Sequence, residues 1–230
     1  KVIAEVEILS IGQTRKDHQP KEKLCQTRVP MYVPPYYKLQ DDQAVTKLTS
    51  ENSFATLTTS SDNNQLSQTL VPILLDPNNP KTIYFHLARA NPHCEAITSA
   101  NANTILTITG PNCYISPNYY QSTDLVPTWN FLAVQYRGVV EVLDREGTLK
   151  VVDGLSEKHE RDFPKPWTSG KLQERKLKLM LASIVGYKFT VESKIAKAKL
   201  SQNRELHDFG HMINQLEARG KQPEKQVAAW

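Results

Sequence analysis

The sequence is poor in the residues that build disulfide scaffolds and metal centres. Its 230 residues include three cysteines, Cys25, Cys94 and Cys113, with no CxxC spacing. An odd count argues against a disulfide framework and suits a reducing compartment such as the cytoplasm. The six histidines form neither HExxH nor any paired ligand spacing, which argues against zinc. No run approaches the ~18 apolar residues that a membrane helix needs. The first residues, KVIAEVEILSIG, alternate apolar and acidic positions, so no secretory leader is expected there. There are no internal repeats and no low-complexity blocks.

Charge of one sign is never concentrated either. The net charge is +4, but no basic block exceeds two residues. Residues 1–30 carry 6 Lys/Arg against 4 Asp/Glu, residues 31–170 carry 10 against 14, and residues 171–230 carry 12 against 6. The basic C-terminal third reads first as a solvated face. No helix-turn-helix with a basic recognition helix is visible, so direct DNA contact is possible but no motif supports it.

What is present is a succession of short alternating runs. Residues 12–30 are polar and aperiodic and read as an arm, with VIAEVEILSI before them able to form a strand. The expected organisation is an N-terminal extension (1–30), a main domain (31–204), and a C-terminal helix and tail (205–230). DDQAVTKLTSEN (41–52) reads as a short helix with acidic residues in its first turn. SFATLTTS (53–60), LSQTLVPILLD (66–76), TIYFHL (82–87), NTILTITG (103–110) and WNFLAVQYRGVVEVL (129–143) read as strands. Turns fall at 61–65 and 76–81, and Pro72 must lie at an edge, a bulge or an unpaired position. Two helical stretches follow Asp144, then a strand in GYKFTVESKIAKAKL. An amphipathic helix over 204–219 carries Leu206, Phe209, Ile213 and Leu216 on one face. The fold class is mainly β with peripheral helices (α+β), an antiparallel barrel.

The stretch FHLARANPHC (85–94) ends a strand at what reads as a helix start, with Asn91 as cap and Pro92 in the first turn, the helix running to about Ala100. Free N–H groups at such a turn attract phosphate, and Arg89 would add a bidentate fork, with His86 as a further donor. The same residues also make an ordinary local helix start beside a surface arginine. YISPNYY (114–120) and VPTWN (126–130) are aromatic, stiff and polar. Trp129, Tyr119 and Tyr120 can stack on a planar ring, and Thr128 and Asn130 can bond its edge. Core packing remains the plainer reading for Tyr114 and Trp129. KLSQNR offers Lys199, Ser201, Gln202, Asn203 and Arg204 in a row, combined with an Asn cap for the following helix.

LVPILLD, HLARANP, YISPNYY, VPTWNFLAV and KLSQNR together resemble the successive motifs of the PaiB-type FMN-binding negative transcriptional regulators, from Met31 to about Arg204. The resemblance implies a split β-barrel like that of pyridoxamine-phosphate oxidase, a homodimer, and FMN at the subunit interface. It implies backbone groups of Val71, Pro72 and Ile73 along the flavin ring and a phosphate site at Arg89 and Asn91. Its layout places Thr128, Trp129 and Asn130 on the second subunit; His86, Ser116, Lys199, Gln202 and Asn203 complete the expected cofactor-side residues as donors for the anion or a polar edge. The chain departs from the family pattern at Phe131 and Gln135, where relatives often have Tyr and His, at Tyr119, where they often have Trp, and at Ala198, where they usually have an aromatic residue.

Three functions fit this reading. The first is a flavin-binding negative regulator. The second is an FMN-dependent oxidoreductase, in which the cofactor supplies the chemistry. The third is a haem-binding split barrel, weakened by Gln135. No nucleophile–base pair stands out to support a hydrolase, and a Ser116–histidine pairing is not decided by the sequence.

Overall fold

A computed structural model describes residues 31–61 and 65–230; the expected N-terminal strand and arm, and the centre of the 61–65 turn, lie outside them. Helix α1 (Asp42–Glu51) leads into strands β1 (Phe54–Ser60), β2 (Leu66–Pro72), β3 (Leu74–Leu75) and β4 (Thr82–Ala88). A short helix α2 (His93–Ile97) precedes β5 (Asn103–Ile115) and β6 (Thr128–Val142). Helices α3 (Arg145–Glu160) and α4 (Glu174–Ala182) lead to β7 (Ile184–Lys199), followed by α5 (Leu206–Arg219) and α6 (Gln222–Ala228).

The strands are ordered β2-β1-β5-β6-β7-β4-β3, and every neighbouring pair is antiparallel. The two edges of this sheet are consecutive pieces of one segment. Up to Pro72 the chain pairs with β1, and the Ile73 amide still donates to Ser53 O at 2.8 Å. From Leu74 it pairs with β4 instead. Proline has no N–H to give, so a change of partner at Pro72 forfeits little. The sheet thereby curls into a barrel. The single strand expected over 66–76 is thus two strands serving opposite edges.

Alternation fills the barrel. Leu57, Leu106, Ile108, Leu132, Val134, Ile83, Phe85 and Phe189 all lie inside with 0% exposure. Phe85 stacks on Tyr187 at 5.2 Å between ring centres, closing the β4–β7 side. The long strands run further than the sequence suggests: β5 continues past Gly110 to Ile115 across a register shift between Thr109 and Asn112.

Helix α1 starts as expected, with the Asp41 carboxylate accepting from the Gln43 amide at 2.8 Å. Helices α5 and α6 pack on the far end of β5 and form a second core with Cys113, Ile115, Tyr119 and Tyr120. Leu206, expected on the apolar face of α5, is 88% exposed because it is the first residue of the helix; Met212 lies in the core instead. The tail expected after α5 carries the further helix α6.

Between Arg137 and Gly138 the β6–β7 register slips by one residue. A Cβ on Gly138 would lie 2.0 Å from the Thr190 carbonyl oxygen, which belongs to the backbone and has no way to swing aside. Gly138→Ala should therefore cost at least about 1–3 kcal/mol, the overpacking range. A urea titration reads this directly; an unchanged midpoint would show that the bulge accommodates a side chain.

Candidate functional site

At the end of β4, Arg89 is exposed and anchored. Its amide donates to Ser183 O at 2.8 Å, its Nε to Ala182 O at 2.8 Å, and its Nη2 to Ile184 O at 2.9 Å. The guanidinium thus satisfies the last carbonyl of α4, where the helix has no internal donors left, and the carbonyl of the residue that opens β7. The rest of the fork has no hydrogen-bond partner among the described residues. Arg89 also lines a cavity of about 280 Å³ with Asp144, Arg145, Thr148, Lys178 and Leu181. Asp144 is occupied there, capping Gly147 N at 2.7 Å, and Lys178 is ion-paired with Glu174.

Asn91, expected as the helix cap, stands one residue before the capping position, which is Pro92; its Oδ1 still accepts from His93 N at 2.9 Å, closing the turn ahead of the helix. The helix it opens has only five residues and stops at Ile97, short of the expected Ala100. The amides of Asn91, Cys94 and Glu95 donate to Ala88 O, Asn91 O and Pro92 O. The free N–H groups expected at this turn are therefore largely spent within the chain, and the cationic fork is what remains to meet an anion.

His93 was visible in the sequence only as a possible neighbour of Ser116. It is 2% exposed, and both ring nitrogens are engaged: Nδ1 with Thr69 Oγ1 and Nε2 with Thr59 Oγ1, each at 2.9 Å. Asn91 Nδ2 donates to the same Thr69 hydroxyl at 3.2 Å, and Thr59 meets Thr104 at 3.0 Å. This buried polar string ties the turn to β2, β1 and β5. Alternating threonines were its only trace in the sequence. Ser116 sits beyond the other end of β5, where its hydroxyl accepts from Asn118 N at 3.2 Å. His86 lies opposite Gly186 on the outer face, and its Nδ1 is buried without a partner among the described residues.

The remaining residues gather elsewhere. Lys199 Nζ donates to Thr128 Oγ1 and to Trp129 O, the latter at 2.7 Å. Burial, then Lys197 and Arg204, hold the Lys199 ammonium below its ordinary pKa. Lys197 Nζ stands 5.2 Å from the Phe131 ring centre, 5.7 Å from Tyr32 and 5.9 Å from Tyr37. Trp129 is half exposed, set edge-on to Tyr114 at 6.2 Å. Asn130, by contrast, is fully buried: its Oδ1 accepts from Ser201 Oγ at 3.1 Å and its Nδ2 points to Met212 Sδ at 3.7 Å. Gln202 closes its own turn, accepting from Leu200 N at 2.7 Å and donating to Ala198 O at 2.6 Å. Asn203 does not cap the following helix; its Oδ1 accepts from Tyr37 OH at 3.0 Å, and the capping position is Glu205.

Val71 and Ile73 point into the core with 1% exposure. That leaves their backbone: Val71 lies on β2, whose second side has no strand partner among the described residues, while the Ile73 amide is already spent on Ser53 O. Arg89 is bonded to the first residue of β7 and Lys199 is the last. Fifteen steps of extended chain separate the two, roughly 50 Å if straight. Among the described residues no group of three or more His, Cys, Asp or Glu side chains is arranged to hold a metal ion.

Residues 31–193 match the family described as "Putative FMN-binding domain". The chain is also 31% identical over 198 residues to the protease synthase and sporulation protein PAI 2 of Bacillus subtilis, covering 86% of this chain and 95% of that one. The chain belongs to this PaiB-type, FMN-binding-domain family. Among solved structures it is similar to the FAD and heme binding protein of Mycobacterium smegmatis, with TM-score 0.57 at 12% identity over 80% of each chain. It is also similar to a conserved hypothetical protein of Mycobacterium tuberculosis, with TM-score 0.54 at 11% identity over 76% of this chain and 94% of that one. At such identities the likeness is one of fold: the chain is a split β-barrel of the pyridoxamine-phosphate oxidase-like kind. Residues 194–230, with the end of β7 and both C-terminal helices, lie beyond the matched region.

Burial lowers the pKa of both His93 and His86. Below about 6.5, the ordinary histidine value, the unfolded chain takes up protons that the folded chain refuses. Stability is therefore full above that pH and falls as the pH drops beneath it. His93→Gln should flatten the loss of melting temperature between pH 7 and pH 5 relative to the unmodified protein. Equal slopes in the two proteins would show that His93 does not carry the effect.

Proposed function

We propose that the protein binds FMN as a homodimer, each flavin shared between the Arg89 end of one protomer and the Trp129–Lys199 end of its partner. One observation carries this reading: Arg89 is bonded to the first residue of β7 and Lys199 is its last, so the two groups of ligand-type residues lie at opposite ends of a sixteen-residue strand. The residues present suit such a ligand. Arg89, Arg145 and Lys178 around one cavity suit a terminal phosphate. The half-exposed Trp129 and the cations Lys197 and Lys199 suit the ring and its electron-rich edge. The second side of β2 near Val71 and the His86 Nδ1, both without a partner among the described residues, offer further polar contacts.

When bound, the flavin supplies hydride or electron transfer. The protein's own part is to bind, orient and shield it. We infer from the family resemblance that the role is negative regulation of gene expression, exerted through the flavin-loaded dimer or a protein partner. The free thiols of Cys94 and Cys113 support a reducing, cytoplasmic setting. A haem reading finds less support, because His93 is engaged at both nitrogens and position 135 is glutamine.

Absorbance of the purified protein tests the cofactor: flavin bands on titration with FMN are expected, whereas a Soret band, or a folded protein that takes up no FMN, would overturn the proposal. NADH or NADPH consumption by the loaded protein would move the role from regulator to oxidoreductase. Mixed dimers test the sharing. Arg89→Ala and Lys199→Met should each weaken FMN binding by about 1–3 kcal/mol, the scale of a lost charge-assisted hydrogen bond. Co-expressed, the two variants should regain about a quarter of the tight sites, since two-fold symmetry leaves one intact site in each mixed dimer. No recovery would place both residues in the same protomer's site.

A further inference from the structure

Helix α5 lies outside the matched family region, yet one turn of it holds the loop that leads into Thr128–Asn130. The Asp208 carboxylate, 2% exposed, accepts from two successive backbone amides, Gln121 N at 2.8 Å and Ser122 N at 3.0 Å. His207 Nε2 meets Ser122 Oγ at 3.1 Å, and His211 Nδ1 meets Tyr119 O at 3.0 Å. The held loop continues into the site. Tyr120 OH bonds Ser201 Oγ at 3.2 Å, and Ser201 donates to Asn130 Oδ1, while Met212 of α5 touches Asn130 from the other side. Asn130 is the immediate neighbour of Trp129, whose carbonyl holds Lys199.

We propose that Asp208 is a positioning residue for the Trp129–Lys199 half of the ligand site, acting through the 119–122 loop and Asn130; its effect on flavin rests on the FMN reading above. The chemistry suits a fixed anchor. Buried carboxylates are tolerated when several donors satisfy them, and this one also sits in the first turn of α5, where the helix dipole favours a negative charge. Its hydrogen bonds from Ser122 and Gln121, helped by the neighbouring His207, keep it below the ordinary carboxylate range against the opposing effect of burial. A carboxylate in this position stays ionised and keeps both amides. No other part of the chain reaches the backbone amides of Gln121 and Ser122 among the described hydrogen bonds.

The test uses the full chain with Trp167→Phe and Trp230→Phe, so that Trp129 is the sole indole emitter. Asp208→Ala should shift the Trp129 emission maximum and weaken FMN binding about tenfold or more, while circular dichroism and dimer mass stay unchanged. Asp208→Asn should restore most of both, because its amide oxygen can accept from the same two N–H groups. A folded Asp208→Ala protein with unaltered emission and affinity would overturn the proposal. Should that variant not fold, amide hydrogen exchange on the unmodified protein decides: Gln121 and Ser122 should exchange as slowly as the interior of α5, and free-peptide rates there would overturn it. Failure of the unmodified chain to bind FMN counts against the flavin reading, whereas the emission and exchange results still report on the loop anchor.

Discussion

The rest of the molecule depends on one exchange of hydrogen-bonding partners, at Pro72 and Ile73. A seven-stranded antiparallel sheet with two open edges would expose rows of unpaired backbone groups. Here a single segment serves β1 on one side of Ile73 and β4 on the other, so both edges meet. Helix α3 covers the seam closely: a Cβ on Gly154 would come within 2.5 Å of Leu74 Cδ2. Glycine at that point lets the helix lie against the two residues of β3, the shortest and weakest strand.

Closure decides where a ligand can go. The barrel interior is packed with apolar side chains, and the candidate ligand-type residues lie outside it. Helices α3 and α4 cover the side formed by β4 and the first half of β7. The outer face of β2 and β1 carries Phe54, Leu66 and Leu70 at 62%, 75% and 60% exposure. Large apolar side chains exposed on one sheet face, as these are among the described residues, suit a contact surface. The proposed dimer would lay a second protomer against an outside surface such as this one, and the candidate residues also lie outside the barrel.

Local patterning made most of the barrel legible. FATLTTS and NTILTITG alternate with period two, and their inward residues are the buried ones. The helix start at Asp41 was readable from its acidic first turn. What escaped was set by distant partners. Nothing near Arg89 announces that carbonyls 93 and 95 residues away claim two of its N–H groups. Asn130 looks available inside VPTWN, yet it is enclosed because Met212, from a helix 82 residues later, packs onto it. The lone strand over 66–76 read correctly as extended; that it changes neighbours midway depends on the closure of the whole sheet. Helix α6 escaped because it is short and carries Pro223 as its second residue, which reads as a break although proline is well placed in a first helical turn.

The distribution of charge makes the last step. The main body is acidic, yet Lys197, Lys199 and Arg204 crowd one end of β7 and its following turn, where Lys197 and Arg204 both depress the Lys199 ammonium. Like charges at close range destabilise the folded chain, and aromatic faces relieve them only in part. A fold selected for stability alone has no use for such an arrangement: Lys194, on the same strand, already finds an aspartate in Asp42 at 2.8 Å. Lys197 and Lys199 instead turn to the carbonyls of Tyr32 and Trp129, acceptors without net charge. Neither ammonium is paired with a carboxylate among the described residues, which is why these two, and not Lys194, enter the proposed site.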